Sequence, residues 1–214
     1  MGYFAMTSPM KYATIYIDPP WRFKVWDAAI SKAGGTARQH YDVMDTVDIA
    51  AIPIPDLMER DCVVFLWTVW THLPEALWLA DQWGLEYKTC AFNWVKLNKM
   101  QRDTPFTGMG YWTRANSEPC LLFTKGSPRR KSKDVPQMLI DWQGGLFDDF
   151  ETETIATPIG RHSEKPQAIY ERIEALVPGA YCEVFARKAR PGWDVFGNEI
   201  DGRDIRDVLE GTTS

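Results

Sequence analysis

The nine residues 62–70, CVVFLWTVW, carry no charge and lie between the Arg60-Asp61 pair and Pro74. A continuous apolar run of this composition, bounded by charge and by proline, has the pattern of a strand covered on both faces. It favours a sheet sandwiched between helices. Residues 11–17, KYATIYI, alternate around β-branched and aromatic side chains and stop at Pro19-Pro20, so they read as a strand running into a rigid turn. Residues 89–95, 119–125, 181–186 and 193–197 are further strand candidates.

Helical periodicity falls between these runs. Leu73, Leu77 and Ala80 share a face in a segment with Pro74 at its start and Gly84 past its end. Pro166 opens another, in which Ile169, Ile173 and Leu176 share a face before Pro178-Gly179. Between residues 46 and 60, Pro53 and Pro55 leave room only for short or broken helix. Strands alternating with helices predict an α/β layered fold with a mostly parallel sheet and helices on both faces. The ligand is then expected at the sheet's carboxyl edge.

Residues 22–40, 126–150 and everything after 201 lack periodicity. The first stretch leaves the first strand's carboxyl end and is a candidate lid. The second reads as a surface excursion and holds Arg129, Arg130, Lys131 and Lys133, which form a basic cluster with the preceding Lys125. With 214 residues, no internal repeat and no linker, the expectation is a single domain over residues 1–202 followed by a tail, 203–214.

Composition narrows the function classes. Hydrophobic residues at 45% and charged residues at 25% exclude wholesale disorder and collagen-like chains. The longest nearly uncharged run, residues 62–73, is far below the ~20 residues of a membrane span, and no export signal opens the chain. Cys62, Cys90, Cys120 and Cys182 interrupt apolar runs without any C-x-x-C pair, as buried thiols of a reducing compartment do, and a cytoplasmic location is expected. His40, His72 and His162 lie too far from one another and from the cysteines for zinc-ligand spacing, so no metal is expected. A net charge of -5 argues against indiscriminate adhesion to nucleic acid, although a local basic patch survives such an average. The cluster at 125–133 either grips phosphates or is a solvated loop; both readings stay open.

The chemistry is concentrated at Asp18-Pro19-Pro20-Trp21. A strand that ends there presents a carboxylate, two residues without N–H groups and a large aromatic at the ligand edge. These parts suit a planar exocyclic amine, which becomes nucleophilic when acceptors draw its hydrogens away. Asp18 supplies one acceptor, and the Pro19 carbonyl, fixed in direction by the prolines, supplies the other. Trp21 either stacks on the ring or plugs the core.

Around this motif the chain resembles the DPPW-type adenine-N6 methyltransferases, the family of the catalytic subunit of the mRNA N6-methyladenosine writer and of bacterial and phage relatives. The resemblance runs from about residue 12 to 202. It rests on IDPPW (17–21), HYDVM (40–44), VVFLW (63–67), NWVK (93–96), GYWTRANSEPCL (110–121), RHSEKP (161–166), Pro178-Gly179, EVFAR (183–187) and GWDVFGNEI (192–200). It implies a Rossmann-like fold that uses S-adenosylmethionine, with the catalytic motif preceding the cofactor-binding segment. By resemblance, Asp18, Pro19, Pro20 and Trp21 are catalytic, and Asp18, Lys165, Phe185, Arg187, Asn198 and Glu199 bind the cofactor. Tyr41, Arg114, Glu118 and Lys165 are assigned to the substrate adenine, with Glu118 alternatively a structural partner of Arg114.

The residues agree with that order, because an acidic or amide residue ending the strand after 181–187 meets ribose hydroxyls. No G-x-G-x-x-G follows Glu183, where the loop reads Ala186-Arg187-Lys188-Ala189-Arg190, so the cofactor assignment leans on the resemblance. The implied activity is methyl transfer to the N6 amine of adenine in nucleic acid, DNA favoured over RNA. The rivals are RNA methylation by the same residues and a non-catalytic partner subunit, against which the intact motif argues. Self-association is left open.

Overall fold

The computed structural model describes residues 10–22, 43–97, 104, 108, 112–140, 165–197 and 200. Among them a seven-stranded sheet is formed by β1 (Tyr12–Ile17), β2 (Met58–Trp67), β3 (Glu86–Val95), β4 (Ser117–Lys125), β5 (Met138–Ile140), β6 (Tyr181–Val184) and β7 (Trp193–Phe196), in the order β5-β3-β4-β2-β1-β6-β7. The helices are α1 (Thr46–Ala50), α2 (Ile54–Leu57), α3 (Leu73–Gln82) and α4 (Ala168–Leu176). No helix among the described residues is long and apolar enough to cross a membrane.

The apolar run on β2 is sandwiched as its composition favours. Val64 and Leu66 join Ile15 and Ile17 of β1 in a core covered by Ile49, Ile54, Leu57, Ala76, Leu79 and Ala80 of α1–α3. The alternate residues Val63, Phe65 and Trp67 join Tyr16, Phe92 and Trp94 in a second core closed by Ile169 and Ile173 of α4. The two-residue period of a strand thus feeds two separate layers.

Strand direction decides what reaches the carboxyl edge. β1 is parallel to β2 and β6, and β6 to β7. β4 runs antiparallel to both β2 and β3, within an otherwise parallel arrangement completed by the β3–β5 pair. The start of β4 and the end of β3 therefore lie beside the ends of β1 and β2. Trp67 pairs with Cys120, and the Thr68 amide donates to the Pro119 carbonyl.

Two sequence readings are corrected. On α3 the buried stripe is Ala76, Leu79 and Ala80, while Leu77 faces solvent, because the small alanines allow the helix to approach the sheet in that phase. The helix closes as foreseen near Gly84, at φ +67: Leu85 donates to the Ala80 carbonyl and Gly84 to that of Asp81, which satisfies two end carbonyls. The short β5 falls within the stretch read as a loop. It is anchored by the buried Arg172 of α4, which donates to the carbonyls of Pro136 and Met138 at 2.8 Å each. The basic cluster begins where β4 ends, at the edge opposite the start of that strand, and Lys131 caps α4. Its amide and ammonium donate to the carbonyls of Leu176 and Glu174 at 2.7 and 2.6 Å.

Candidate active site

Asp18 leaves the carboxyl end of β1, and the turn after it is built by the two prolines. The Trp21 amide donates to the Pro19 carbonyl at 2.8 Å, and Met44 donates to the Pro20 carbonyl at 2.9 Å. One Pro19 lone pair is thereby used, and no hydrogen bond among the described residues takes the other. Trp21 is only 4% exposed and belongs to the core over α1–α3, with its indole N–H donating to the Trp67 carbonyl at 3.0 Å. Of its two sequence readings the structure favours the core plug, since a ring so buried offers little face for stacking on a base.

Lys165 stands two residues before Gln167, the N-cap of α4, and reaches back across 147 residues of chain to this turn. Its Nζ donates to both Asp18 oxygens, at 2.7 and 2.8 Å, and lies 3.5 Å from Glu118 Oε2. The side chain is 6% exposed and its ammonium sits over the Trp67 ring, 5.1 Å from the centroid. Lys96, just past β3, pairs with the other Glu118 oxygen and lies over Trp94. Two carboxylates and two ammonium groups thus alternate at the carboxyl edge, brought there by four different elements.

Their electrostatics follow from burial and charge together. Burial pushes the Lys165 ammonium down, but Asp18 and Glu118 outweigh it and hold the group above the usual lysine range. Burial pushes the Glu118 carboxyl up, but Lys165 and Lys96 outweigh it and hold the group below the usual carboxylate range. Lys165 and Glu118 are therefore both charged throughout the neutral region.

A cleft opens beside it toward β6 and α4. Asp18, Lys165, Phe185 and Arg187 line it, with Glu183 and Tyr170 at its base. Phe185 follows β6 in the left-handed region, φ 65, a conformation that costs a side chain of this size about 1 kcal/mol or more and is retained at ligand sites. Gly197 makes the adjoining wall tight: a Cβ there would fall 2.1 Å from the Ala186 carbonyl oxygen. Glu183, 7% exposed, accepts from the Tyr170 hydroxyl at 2.9 Å, and its burial pushes the carboxyl up to about 7.

The structure therefore brings together Asp18, Pro19, Glu118, Lys165, Phe185 and Arg187 of the residues singled out from sequence. Arg114 is exposed before β4, and no hydrogen bond or ion pair engages it among the described residues, so Glu118 partners the two lysines instead. Tyr41, Asn198 and Glu199 lie outside the described residues. From sequence Lys96 read as a loop cation within NWVK, not as a partner of Glu118, and Trp67 read as core. Sequence reasoning also missed Tyr170, which read as an ordinary helix residue. Among the described residues, no group of three His, Cys, Asp or Glu side chains stands within reach of one metal ion.

A family model described as MT-A70 matches residues 12–199. The chain is 28% identical to the Type II methyltransferase M.MunI from Mycoplasma sp, over 94% of this chain and 83% of that protein. It is 26% identical to the human N(6)-adenosine-methyltransferase catalytic subunit METTL3, over 92% of this chain but 30% of that protein. A Drosophila melanogaster N(6)-adenosine-methyltransferase MT-A70-like protein is 27% identical, over 94% of this chain and 29% of its own length. The chain thus spans under a third of these two animal relatives and most of the mycoplasma one. With a match over nearly its whole length and the DPPW turn held against Lys165 and Glu118, the chain belongs to the MT-A70 family of methyltransferases.

Proposed function

We propose that the protein methylates the N6 amine of adenine in nucleic acid, DNA in preference to RNA, with S-adenosylmethionine as methyl donor. The observation that carries this reading is the Asp18–Lys165–Glu118 cluster at the sheet's carboxyl edge, beside the cleft bounded by Phe185 and Arg187. The cleft suits the donor's amino-acid end: Lys165 and Arg187 offer cations to a carboxylate, and Asp18 offers an acceptor to an ammonium. Asn198 and Glu199, which follow β7 in sequence, are proposed to take its ribose hydroxyls.

When bound, the cofactor supplies a methyl carbon activated by its sulfonium. The chain's own residues prepare the amine. Asp18 accepts one N6 hydrogen and the free lone pair of Pro19 the other, so the nitrogen lone pair is turned out of conjugation with the ring. Lys165 holds the Asp18 carboxylate in one orientation. Glu118, kept ionised by Lys165 and Lys96, offers a further acceptor on the same edge. Once the C–N bond forms, the surplus amine proton passes to Asp18 or to water. Positioning accounts for most of the acceleration. Tyr41 and Arg114 are proposed to border the base, which in duplex DNA must be flipped out to reach Asp18.

DNA is favoured because a relative covered over 83% of its own length is a Type II methyltransferase. The test is isothermal titration with S-adenosylmethionine, followed by turnover on sequence-matched DNA and RNA oligonucleotides. Binding and faster DNA turnover are expected. Faster RNA turnover would reverse the substrate order, and absence of cofactor binding would make the chain a non-catalytic partner.

A further inference from the structure

Two tryptophans stand in solvent at the carboxyl edge of the sheet. Trp70, just after β2, is 49% exposed, and Trp112, in the connection between β3 and β4, is 94% exposed. A single exposed ring is ordinary on a protein surface. These two are both tied to β4, the strand that carries Glu118. The Trp70 indole N–H donates to the Ser117 hydroxyl at 3.0 Å, and Ser117 precedes Glu118. The Trp112 loop is closed by the Gly108–Ala115 bridge, where the Gly108 amide donates to the Ala115 carbonyl at 2.8 Å, and leads directly into Ser117. Of the other exposed rings, Trp78 lies on α3 and Tyr87 near the start of β3, at the far edge of the sheet.

Successive residues of a strand face opposite ways. Ser117 is in phase with Leu121 and Phe123, in the core under α1–α3, and Glu118 with Cys120, in the core under α4. Trp70 therefore flanks the ion cluster from the α3 face, while the cofactor cleft opens on the α4 face. The bond to Ser117 satisfies its N–H and fixes the ring, so little rotamer freedom is lost when a flat ligand settles on it. Charge at this edge admits a polyanion. Asp18 and Glu118 are matched by Lys165 and Lys96, and Asp45 by Arg22 at 3.0 Å. Arg114, two residues from Trp112, is exposed, and no hydrogen bond or ion pair engages it among the described residues. Aromatic faces beside a cation are the elements that hold a nucleic-acid strand irrespective of its sequence.

We infer that Trp70 and Trp112 are stacking platforms for the nucleobases next to the target adenine, with Arg114 against an adjoining phosphate. The inference rests on the nucleic-acid reading of the site and extends it from one base to its neighbours. Asp18 and Glu118 hold polar atoms of the target, whereas the two indoles offer π faces, which every base can meet. The rings therefore add affinity for the strand and leave the choice of the methylated atom to the ion cluster.

The experiment titrates the full chain with a fluorescent single-stranded oligodeoxyadenylate and with an oligomer of equal length whose residues are abasic. The two probes carry the same phosphates and differ only in their bases. Wild type, Trp70→Ala, Trp112→Ala and Trp70→Phe are compared. Wild type should bind the oligodeoxyadenylate about tenfold tighter than the abasic oligomer, or better. Each alanine variant should weaken oligodeoxyadenylate binding by about fivefold or more and leave the abasic affinity within about twofold. S-adenosylmethionine affinity should be unchanged in both. Trp70→Phe, which keeps a ring but no N–H, should retain most of the wild-type affinity. Equal affinity of the wild type for both probes, unchanged binding in either alanine variant, an equal loss with both probes, or a loss as large in Trp70→Phe as in Trp70→Ala overturns the inference and leaves the methyl-transfer reading standing. Absence of binding to both probes removes the nucleic-acid reading of the site and the inference with it.

Discussion

Replacing Lys165 by Met should destabilise the protein through charge rather than packing. The thioether chain fills nearly the same space, so the cavity contribution is small. What is lost is the ammonium that donates to Asp18 at 2.7 and 2.8 Å and faces Glu118 at 3.5 Å. The gross attraction of one such pair, at 2.7 Å and an effective dielectric of about 20, is about 6 kcal/mol. The desolvation of a 6% exposed lysine cancels much of it. Removing one partner from a buried pair nevertheless costs about 3–5 kcal/mol, because the other charge stays behind. Lys96 still serves Glu118, which places the expectation near the lower end, about 3 kcal/mol at pH 7.

The sign of the pH dependence separates charge from packing. With its folded pKa raised above 10.5, Lys165 contributes stability that is lost only as pH climbs past that value. With its folded pKa held below 4.5, Glu118 contributes stability that is lost as pH falls through the folded value. The network is therefore intact between these limits. Urea denaturation of both proteins at pH 7 and at pH 3.5 is the assay. The difference should be full at pH 7 and shrink at pH 3.5, as protonation removes the stranded carboxylate charges. Equal stability at pH 7, or a loss of the same size at both values, would refute the electrostatic account.

Glu183 should show the opposite slope. Its folded pKa near 7 against an ordinary 4.5 means that its contribution is present below 4.5 and lost as pH rises through 7, so wild-type stability should fall by about 3 kcal/mol across that window. Glu183→Gln, which keeps an acceptor for Tyr170, should flatten the curve, as denaturation at stepped pH will show. Trp21→Phe should cost about 1–3 kcal/mol of stability, by emptying core volume and orphaning the Trp67 carbonyl. Gly126→Ala should cost about 1–3 kcal/mol in a thermal melt, since the residue sits at φ +67 and a Cβ would fall 2.3 Å from Asp61 Oδ1.

Much of this arrangement is legible in local pattern. The two-faced β2, the strand ending at Asp18 and the face shared by Ile169 and Ile173 follow from periodicity and punctuation, which depend on neighbours a few residues away. What pattern does not carry is direction and distance. Nothing in SEPCLLFTK states that β4 runs antiparallel, yet that direction puts Glu118 at the site and the basic cluster at the far edge. The Lys165–Asp18 pair joins residues 147 apart, and residue by residue its two members read as a helix-start lysine and a turn aspartate. Three-residue β5 is too short for any period to register and is held by Arg172, a tertiary contact. Trp21 read equally well as a stacking ring or a core plug, and the Trp67 carbonyl that settles its place lies 46 residues away.

The most direct test is chemical. Wild-type protein and Asp18→Ala are incubated with methyl-labelled S-adenosylmethionine and an adenine-containing DNA, which is then digested to nucleosides and separated. Label in N6-methyldeoxyadenosine with the wild type, and at least ~100-fold less with a folded Asp18→Ala, is the expected result for loss of a positioned acceptor. Label on another atom or another base, or full activity in the variant, would contradict the assignment of Asp18 and its ion cluster as the methyl-transfer site.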